Sequence, residues 1–282
     1  MILFKKADQL HNYLESQRQI GKKIGFVPTM GALHQGHISL IEASKKENDL
    51  TVCSIFVNPT QFNDPKDYEK YPITIEKDIY QLETTGCDMI FLPSVKEIYP
   101  DTFRKEHYDL GFIETVLEGK FRPGHFQGVC MVVHRLLQIV DCDNLYLGQK
   151  DYQQCMVIKR LIELTDKKGN IDVVVYPTLR EADGLAMSSR NTRLNEEERK
   201  KATAIYQSLS FLKNNLKEGN LDELIKTAKQ ILSDKGFKID YVEVADAVTL
   251  ELLRDWDRKR KVVALIAAFM NEVRLIDNML LN

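Results

Sequence analysis

Short apolar, β-rich runs alternate with helical patterns along the first two-thirds of the chain. Ile24–Val27, Leu50–Val57, Cys87–Leu92, Asn144–Leu147 and Ile171–Tyr176 read as strands buried on both faces. Such runs belong to a parallel sheet, whose crossover helices cover both sides. Between them the spacing of apolar residues predicts helices at about 37–47, 75–85, 129–140 and 152–164. In the second of these, Thr74 is the N-cap candidate, Ile75, Ile79 and Leu82 form the apolar stripe, and Gly86 ends it. Strands alternating with helices predict a doubly wound, Rossmann-like α/β domain.

After Pro177 the pattern changes. Asn195-Glu-Glu-Glu198 is a capping-box-like start for a helix whose stripe is Ile205, Leu209, Leu212 and Leu216. Gly219-Asn220 breaks it, and a second helix is expected at about Leu221–Ser233. Three strand candidates follow, Ile239–Ala245, Val262–Met270 and Val273–Ile276. Two helices and a small antiparallel sheet make a smaller α+β C-terminal domain. The expected division is 1–176 and 177–282.

Composition narrows the function classes. The chain has 282 residues, 44% hydrophobic and 28% charged, enough to bury a core without metal or disulfide staples. A formal net charge of −2 with interspersed signs argues against a nucleic-acid partner but leaves room for a local phosphate pocket. The five cysteines form no Cys-x-x-Cys pair and suit a reducing compartment. Met1–Lys6 lacks the apolar run of a signal peptide, and the longest apolar stretch, Val262–Met270, is strand-sized. The expectation is a cytoplasmic protein with no membrane partner.

The densest chemistry lies in Pro28-Thr-Met30-Gly31-Ala32-Leu33-His34-Gln35-Gly36-His37, which follows the first predicted strand and opens a helix. There the helix dipole and free backbone N–H groups favour phosphate. His34 and His37 can donate to oxygens on which charge develops in a transition state. Gly148-Gln149-Lys150-Asp151 follows the fourth strand at the same sheet edge. Lys150 suits a phosphate; Asp151 suits a helix N-cap, a ribose or a metal. Met187-Ser188-Ser189-Arg190 at the domain junction offers two hydroxyls and a guanidinium to polyphosphate oxygens. Gln61, after the second strand, can bind a hydroxyl or carboxylate without adding charge, and Arg122 is available for an anion. On physical grounds the substrate is a small hydroxylated carboxylate.

Together these segments resemble the pantothenate synthetase (pantoate–β-alanine ligase) family of the His-x-Gly-His nucleotidyltransferase superfamily. The matching stretches are 28–37, Phe56-Val-Asn-Pro-Thr-Gln-Phe62, Arg122-Pro-Gly-His-Phe-Gln-Gly-Val129, Gly148-Gln-Lys-Asp-Tyr-Gln-Gln154 and Arg180-Glu-Ala-Asp-Gly-Leu-Ala-Met-Ser-Ser-Arg-Asn191. They occur in the family's order, whereas the C-terminal third is less diagnostic. The resemblance implies a ligase that activates D-pantoate with Mg2+ and ATP as an adenylate and passes it to β-alanine. It places ATP against Met30, Gly31, Ala32, Leu33, His34, Gln35, Gly36, His37, Gly148, Gln149, Lys150, Asp151, Leu179, Met187, Ser188, Ser189 and Arg190. Leu179 stands where the family often has Val or Ile. It places pantoate against Gln61 and Gln154, and β-alanine against Gln61. His34, His37, Lys150, Ser188, Ser189 and Arg190 are the implied catalytic set, with the second domain closing over the site. Mg2+ is implied to ride on the triphosphate without a dedicated protein ligand, and the family's usual state is a homodimer.

Rival readings differ in what they leave unexplained. A nucleotidyltransferase acting on a phosphorylated acceptor accounts for the His-x-Gly-His loop but not for Gln61 with Gln154. A tRNA-charging enzyme lacks a basic surface for RNA. A silent nucleotide-binding module would be expected to have lost a charge-stabilising group, yet His34, His37, Lys150 and Arg190 are all present.

Overall fold

The computed structural model describes residues 1–165 and 171–282. These fall into two compact units, one of Met1–Gly148 with Gln154–Pro177, the other of Gln149–Gln153 with Thr178–Asn282.

The first unit is built on a parallel sheet of β1 (Ile2–Phe4), β2 (Ile24–Thr29), β3 (Leu50–Ile55), β4 (Met89–Phe91), β5 (Asn144–Gly148) and β6 (Asp172–Tyr176). The strand order is β1-β4-β3-β2-β5-β6, so the direction of winding reverses between β2 and β5. Such a reversal opens a crevice at the carboxyl ends of the two strands, the usual ligand position in this architecture. The principal helices are α1 (Ala7–Gln19), α2 (Gln35–Glu47), α4 (Ile75–Thr84), α7 (His125–Val140) and α8 (Tyr152–Leu164). Short helices α3 (Pro65–Glu69), α5 (Val95–Ile98) and α6 (Leu117–Phe121) lie between them. Apolar side chains fill both faces of the sheet. Phe26, Val52, Met89 and Leu145 join α1 and α7 on one side, while Val27, Cys53, Ile90 and Tyr146 meet Ile41 and Leu82 on the other. The doubly wound class predicted from the sequence is thus the class observed. β1 and α1 are additional to that reading.

The second unit contains α9 (Glu196–Ala202), α10 (Ala204–Asn215) and α11 (Asp222–Ser233), with a two-residue pairing of β7 (Gly219–Asn220) and β9 (Asp255–Trp256). Its antiparallel sheet has the order β11-β10-β8, with β8 at Lys238–Asp246, β10 at Val262–Met270 and β11 at Val273–Leu280. Asn195 forms the expected capping box, exchanging 2.9 Å bonds with Glu198. The single helix expected beyond it is two helices. Thr203 separates them, its hydroxyl donating back to the Lys200 carbonyl at 2.9 Å, a local bond that competes with helix continuation.

Candidate active site

The turn leaving β2 contains two successive residues in the left-handed region, Gly31 (φ +79°) and Ala32 (φ +47°). Glycine adopts this conformation freely, whereas alanine there costs on the order of 1 kcal/mol. Asp78 on α4 stabilises it. Its carboxylate accepts from the Ala32 N–H at 2.9 Å and the Leu33 N–H at 2.8 Å, and the Thr74 hydroxyl donates to it at 3.0 Å. Successive amides converging on one anion form a backbone nest. Asp78 is only 1% exposed, so these bonds are made away from water. Thr74 holds the N-cap position of α4, but its hydroxyl serves Asp78 rather than the helix backbone.

One residue past this anchored turn, His34 caps α2, which begins two residues earlier than expected. The His34 Nδ1 accepts from the Gly36 N–H at 3.2 Å, and the His37 Nδ1 accepts from the His34 N–H at 3.3 Å. A ring nitrogen that accepts carries no proton, so each neutral imidazole keeps its proton on Nε2. The rings lie 4.0 Å apart between centroids. The sequence suggests free backbone N–H groups at this helix end. Instead Gly36 and His37 donate to His34, through its Nδ1 and its carbonyl respectively. Both rings thus stand at the N-terminal end of α2, where the helix dipole is positive.

Gln61 ends a 3-10 turn, Pro59–Gln61, after β3. Its amide nitrogen lies 2.9 Å from the Met30 sulfur, which brings Gln61 to the turn that leads to His34. The turn is held by Asn58, which is 1% exposed. The Asn58 amide donates to the Gln61 Oε1 and to the Gly128 carbonyl, both at 3.1 Å, and its oxygen accepts from the Tyr99 hydroxyl at 2.8 Å. Burial pushes the Tyr99 phenol above its ordinary range, partly offset by its bonds to Thr60 and Asn58, so it remains a donor. The His125 ring bonds the Gln61 carbonyl at 2.7 Å. Arg122 is not left open to an anion: Glu118 lies 3.5 Å, Asn63 3.3 Å and His125 3.1 Å from its guanidinium.

Gly128 lets α7 approach this turn. A Cβ there would lie 2.2 Å from the Thr60 carbonyl oxygen and 2.8 Å from the Gln61 Cα. Gly128→Ala is therefore expected to cost about 1–3 kcal/mol as an overpacked contact, read as a lower denaturant midpoint, and to displace Gln61.

Gly148 ends β5 beside β2 at the winding reversal, and Gln154 lies half-buried early in α8. The remaining residues singled out from the sequence belong to the second unit. Gln149, Lys150 and Asp151 form a 3-10 turn, with the Lys150 ammonium 3.4 Å from the Asp151 carboxylate. The Met187 N–H donates to the Leu179 carbonyl at 3.0 Å, which joins two residues assigned to the nucleotide. Ser188 caps the turn Ser189–Arg193, its Oγ accepting from the Arg190 N–H at 3.3 Å.

The cysteines offer no nucleophile. All five are buried and none forms a disulfide, and burial pushes Cys87 and Cys130 up to about 12. Two residues with clear roles were missed in the sequence. Asn58 lies inside the motif that drew attention to Gln61. Asp78 carries a charge one turn before the buried Leu82 on the inward side of α4, a signal that could have revealed it, whereas Ile75 of the expected stripe is exposed.

A family model for pantoate-beta-alanine ligase matches residues 2–280. The chain belongs to the pantoate-beta-alanine ligase family. The pantothenate synthetase of Thermosipho africanus is 44% identical over 283 residues, covering 100% of both chains. That of Caldicellulosiruptor bescii is 44% identical over 281 residues, covering 99% of this chain and 98% of its own. The crystal structure of the Thermus thermophilus pantothenate synthetase superposes with a TM-score of 0.91 at 38% identity, covering 100% of this chain and 99% of its own. The Francisella tularensis pantoate-beta-alanine ligase, complexed with beta-gamma ATP and beta-alanine, gives a TM-score of 0.81 at 42% identity and covers 99% and 97%. The chain is accordingly an enzyme, a ligase of pantothenate formation. The family match includes the His34–His37 turn, Gln61, the Lys150 turn and Ser188–Arg190. No described helix is long and apolar enough to cross a membrane.

Proposed function

We propose that the ligase works through a pantoyl adenylate, with ATP as the activating substrate. A pantoate carboxylate oxygen attacks the α-phosphorus of ATP, and the bond to pyrophosphate breaks. The β-alanine amine then attacks the acyl carbon and loses a proton. AMP leaves with the oxygen that came from the carboxylate, and pantothenate remains. The observation that carries this reading is the His34–His37 pair capping α2, each ring with its Nδ1 accepting from the backbone and its proton on Nε2. Two donors of fixed tautomer at a helix N-terminus suit the charge that grows on phosphate oxygens as pyrophosphate departs. The ATP and β-alanine ligands named for the Francisella tularensis relative agree with it.

In this scheme His34 and His37 hold the phosphates, and His37 is the proton-donor candidate. Met30–Gly36, Gly148, Gln149, Leu179 and Met187 line the nucleotide, Asp151 faces its ribose, and Lys150, Ser188, Ser189 and Arg190 bind the phosphates. Gln61 and Gln154 bind pantoate, and Gln61 also meets β-alanine. Positioning and charge stabilisation account for the catalysis, and no residue forms a covalent intermediate. Among the described residues no group of three or more His, Cys, Asp or Glu is placed to hold a metal. Mg2+ is carried by triphosphate oxygens and water. We further propose a homodimer acting in the cytoplasm, with 1–176 as the catalytic domain and 177–282 as the smaller one.

Omitting each substrate in turn tests the scheme. Pantothenate and AMP should appear together only when Mg-ATP, D-pantoate and β-alanine are all present, whereas omitting β-alanine alone should still release a single enzyme-bound turnover's worth of pyrophosphate. Pyrophosphate released with other acids but never with pantoate would overturn the substrate assignment. Release onto a phosphorylated acceptor would favour simple nucleotidyl transfer.

A further inference from the structure

Within the second unit, β11 packs against both the turn carrying Lys150 and the turn Ser189–Arg193. Two adjacent residues on that strand, Asp277 and Asn278, are buried at 3% and 2% exposure although both are polar. Each is committed to one of the two segments assigned to the phosphates.

The Asn278 amide donates to the Gln149 carbonyl at 2.9 Å and to the Lys150 carbonyl at 2.8 Å. Both of its protons are thus used to hold successive peptide groups of the Lys150 turn. The Gln149 amide returns a longer contact to the Asn278 oxygen at 3.4 Å. Asp277 accepts both arms of Arg180, at 2.6 and 3.1 Å, and its own oxygen also accepts from the Asn278 N–H at 2.8 Å. Arg180 donates in addition to the Gly184 carbonyl at 3.1 Å and the Asn278 carbonyl at 3.2 Å, and its guanidinium lies 5.0 Å from the centre of the Tyr206 ring. Arg180 opens the segment that continues through Leu179–Met187 pairing to Ser188 and Arg190. A planar, bidentate and stacked guanidinium fixes direction as well as distance. Burial raises the Asp277 carboxyl from its ordinary value, opposed by Arg180 and, from further away, by the Lys150 charge.

We infer that Asp277 and Asn278 are positioning residues for the ligation. They tie the Lys150 turn and the Arg180–Arg190 segment to one strand, so that the phosphate-directed cations of this unit are presented as a fixed set. The inference rests on the proposed phosphate role of Lys150. It also accounts for Gln149–Gln153 packing with the second unit although the chain on either side belongs to the first. Tyr152 adds to that attachment through a 2.7 Å bond to the Ala247 carbonyl.

A double-mutant cycle of Lys150→Ala and Asn278→Ala tests this, with steady-state kcat and KM for ATP measured below the melting midpoints. Lys150→Ala should lose about a hundredfold in kcat/KM. Asn278→Ala should lose about tenfold while Lys150 is present and less than about twofold when it is already alanine, because its effect runs through Lys150. Losses that multiply would overturn the inference, as would a folded Asn278→Ala enzyme with unchanged kcat/KM. If the alanine variant does not fold, Asn278→Ser, which retains one donor, takes its place in the cycle, and the same outcomes support or overturn the inference. A Lys150→Ala enzyme near wild type removes the phosphate role itself. A full Asn278 effect in that background would then mean that Asn278 acts by another route.

Discussion

Replacing His37 with alanine is expected to lower kcat at least about a hundredfold while the protein remains folded. The expectation follows from what the ring does in the two states. In the free enzyme its Nδ1 accepts the His34 N–H in a long bond of 3.3 Å, and losing a bond of that kind costs about 1 kcal/mol or less. In the proposed mechanism its Nε2–H faces oxygens on which charge increases in the transition state, and one such donor is worth about 3–4 kcal/mol, or roughly two to three powers of ten in rate. Thermal unfolding and turnover should therefore separate, with the midpoint falling by a few degrees at most. KM for ATP should change much less than kcat, because the interaction strengthens after binding. A variant with normal kcat and a raised KM would instead make His37 a ground-state contact.

Asp78→Asn should be damaging for a different reason. The carboxylate accepts three bonds, from two backbone amides and from Thr74. An amide of the same shape replaces one acceptor by a donor, so that an NH2 group meets an N–H group inside the protein. A buried donor left unpaired costs about 1–3 kcal/mol, and the left-handed backbone at Ala32 loses the group that holds it. The expected result is a melting midpoint lower by about 4–10 °C for a unit of this size. A fall in kcat of tenfold or more should accompany it, measured where the variant is still folded, since His34 lies one residue beyond the anchored amides. Unchanged kcat in a folded variant would show that the His34–His37 turn holds its form without Asp78.

The reach of the sequence can be followed residue by residue. Strands β2 to β6 were legible because each is a short apolar run bounded by polar or turn residues; β2 to β5 are buried on both faces, as read, whereas β6 lies at the sheet edge and is only half-buried. β1 is three residues at the sheet edge, too short to carry a pattern. α1 buries Leu10 and Leu14 but is otherwise polar, so its helical stripe is thin and only tertiary packing makes it evident. The start of α2 was misplaced because its caps are imidazoles, outside the usual Ser, Thr, Asp and Asn vocabulary of helix starts. The His34–His37, Gln61, Lys150 and Ser188–Arg190 segments could be picked out because each is a compact motif at the end of a predicted element.

The groups that hold those motifs were a different matter. Asp78 meets Ala32 across 46 residues, and Arg180 meets Asp277 across 97. A partner so distant leaves no local spacing to detect. Arg122 shows the converse: as a residue it looks like an anion receptor, but its neighbours Glu118 and His125 already engage it.

The central claim is that the pantoate carboxylate itself attacks the α-phosphorus, and isotope tracing tests it most directly. With pantoate labelled by oxygen-18 in its carboxylate, one turnover with ATP and β-alanine should deliver one labelled oxygen to the phosphate of AMP and none to pyrophosphate. Label in inorganic phosphate, with ADP as the nucleotide product, would mean attack at the terminal phosphate and an acyl phosphate instead, contradicting the adenylate and the roles assigned around it.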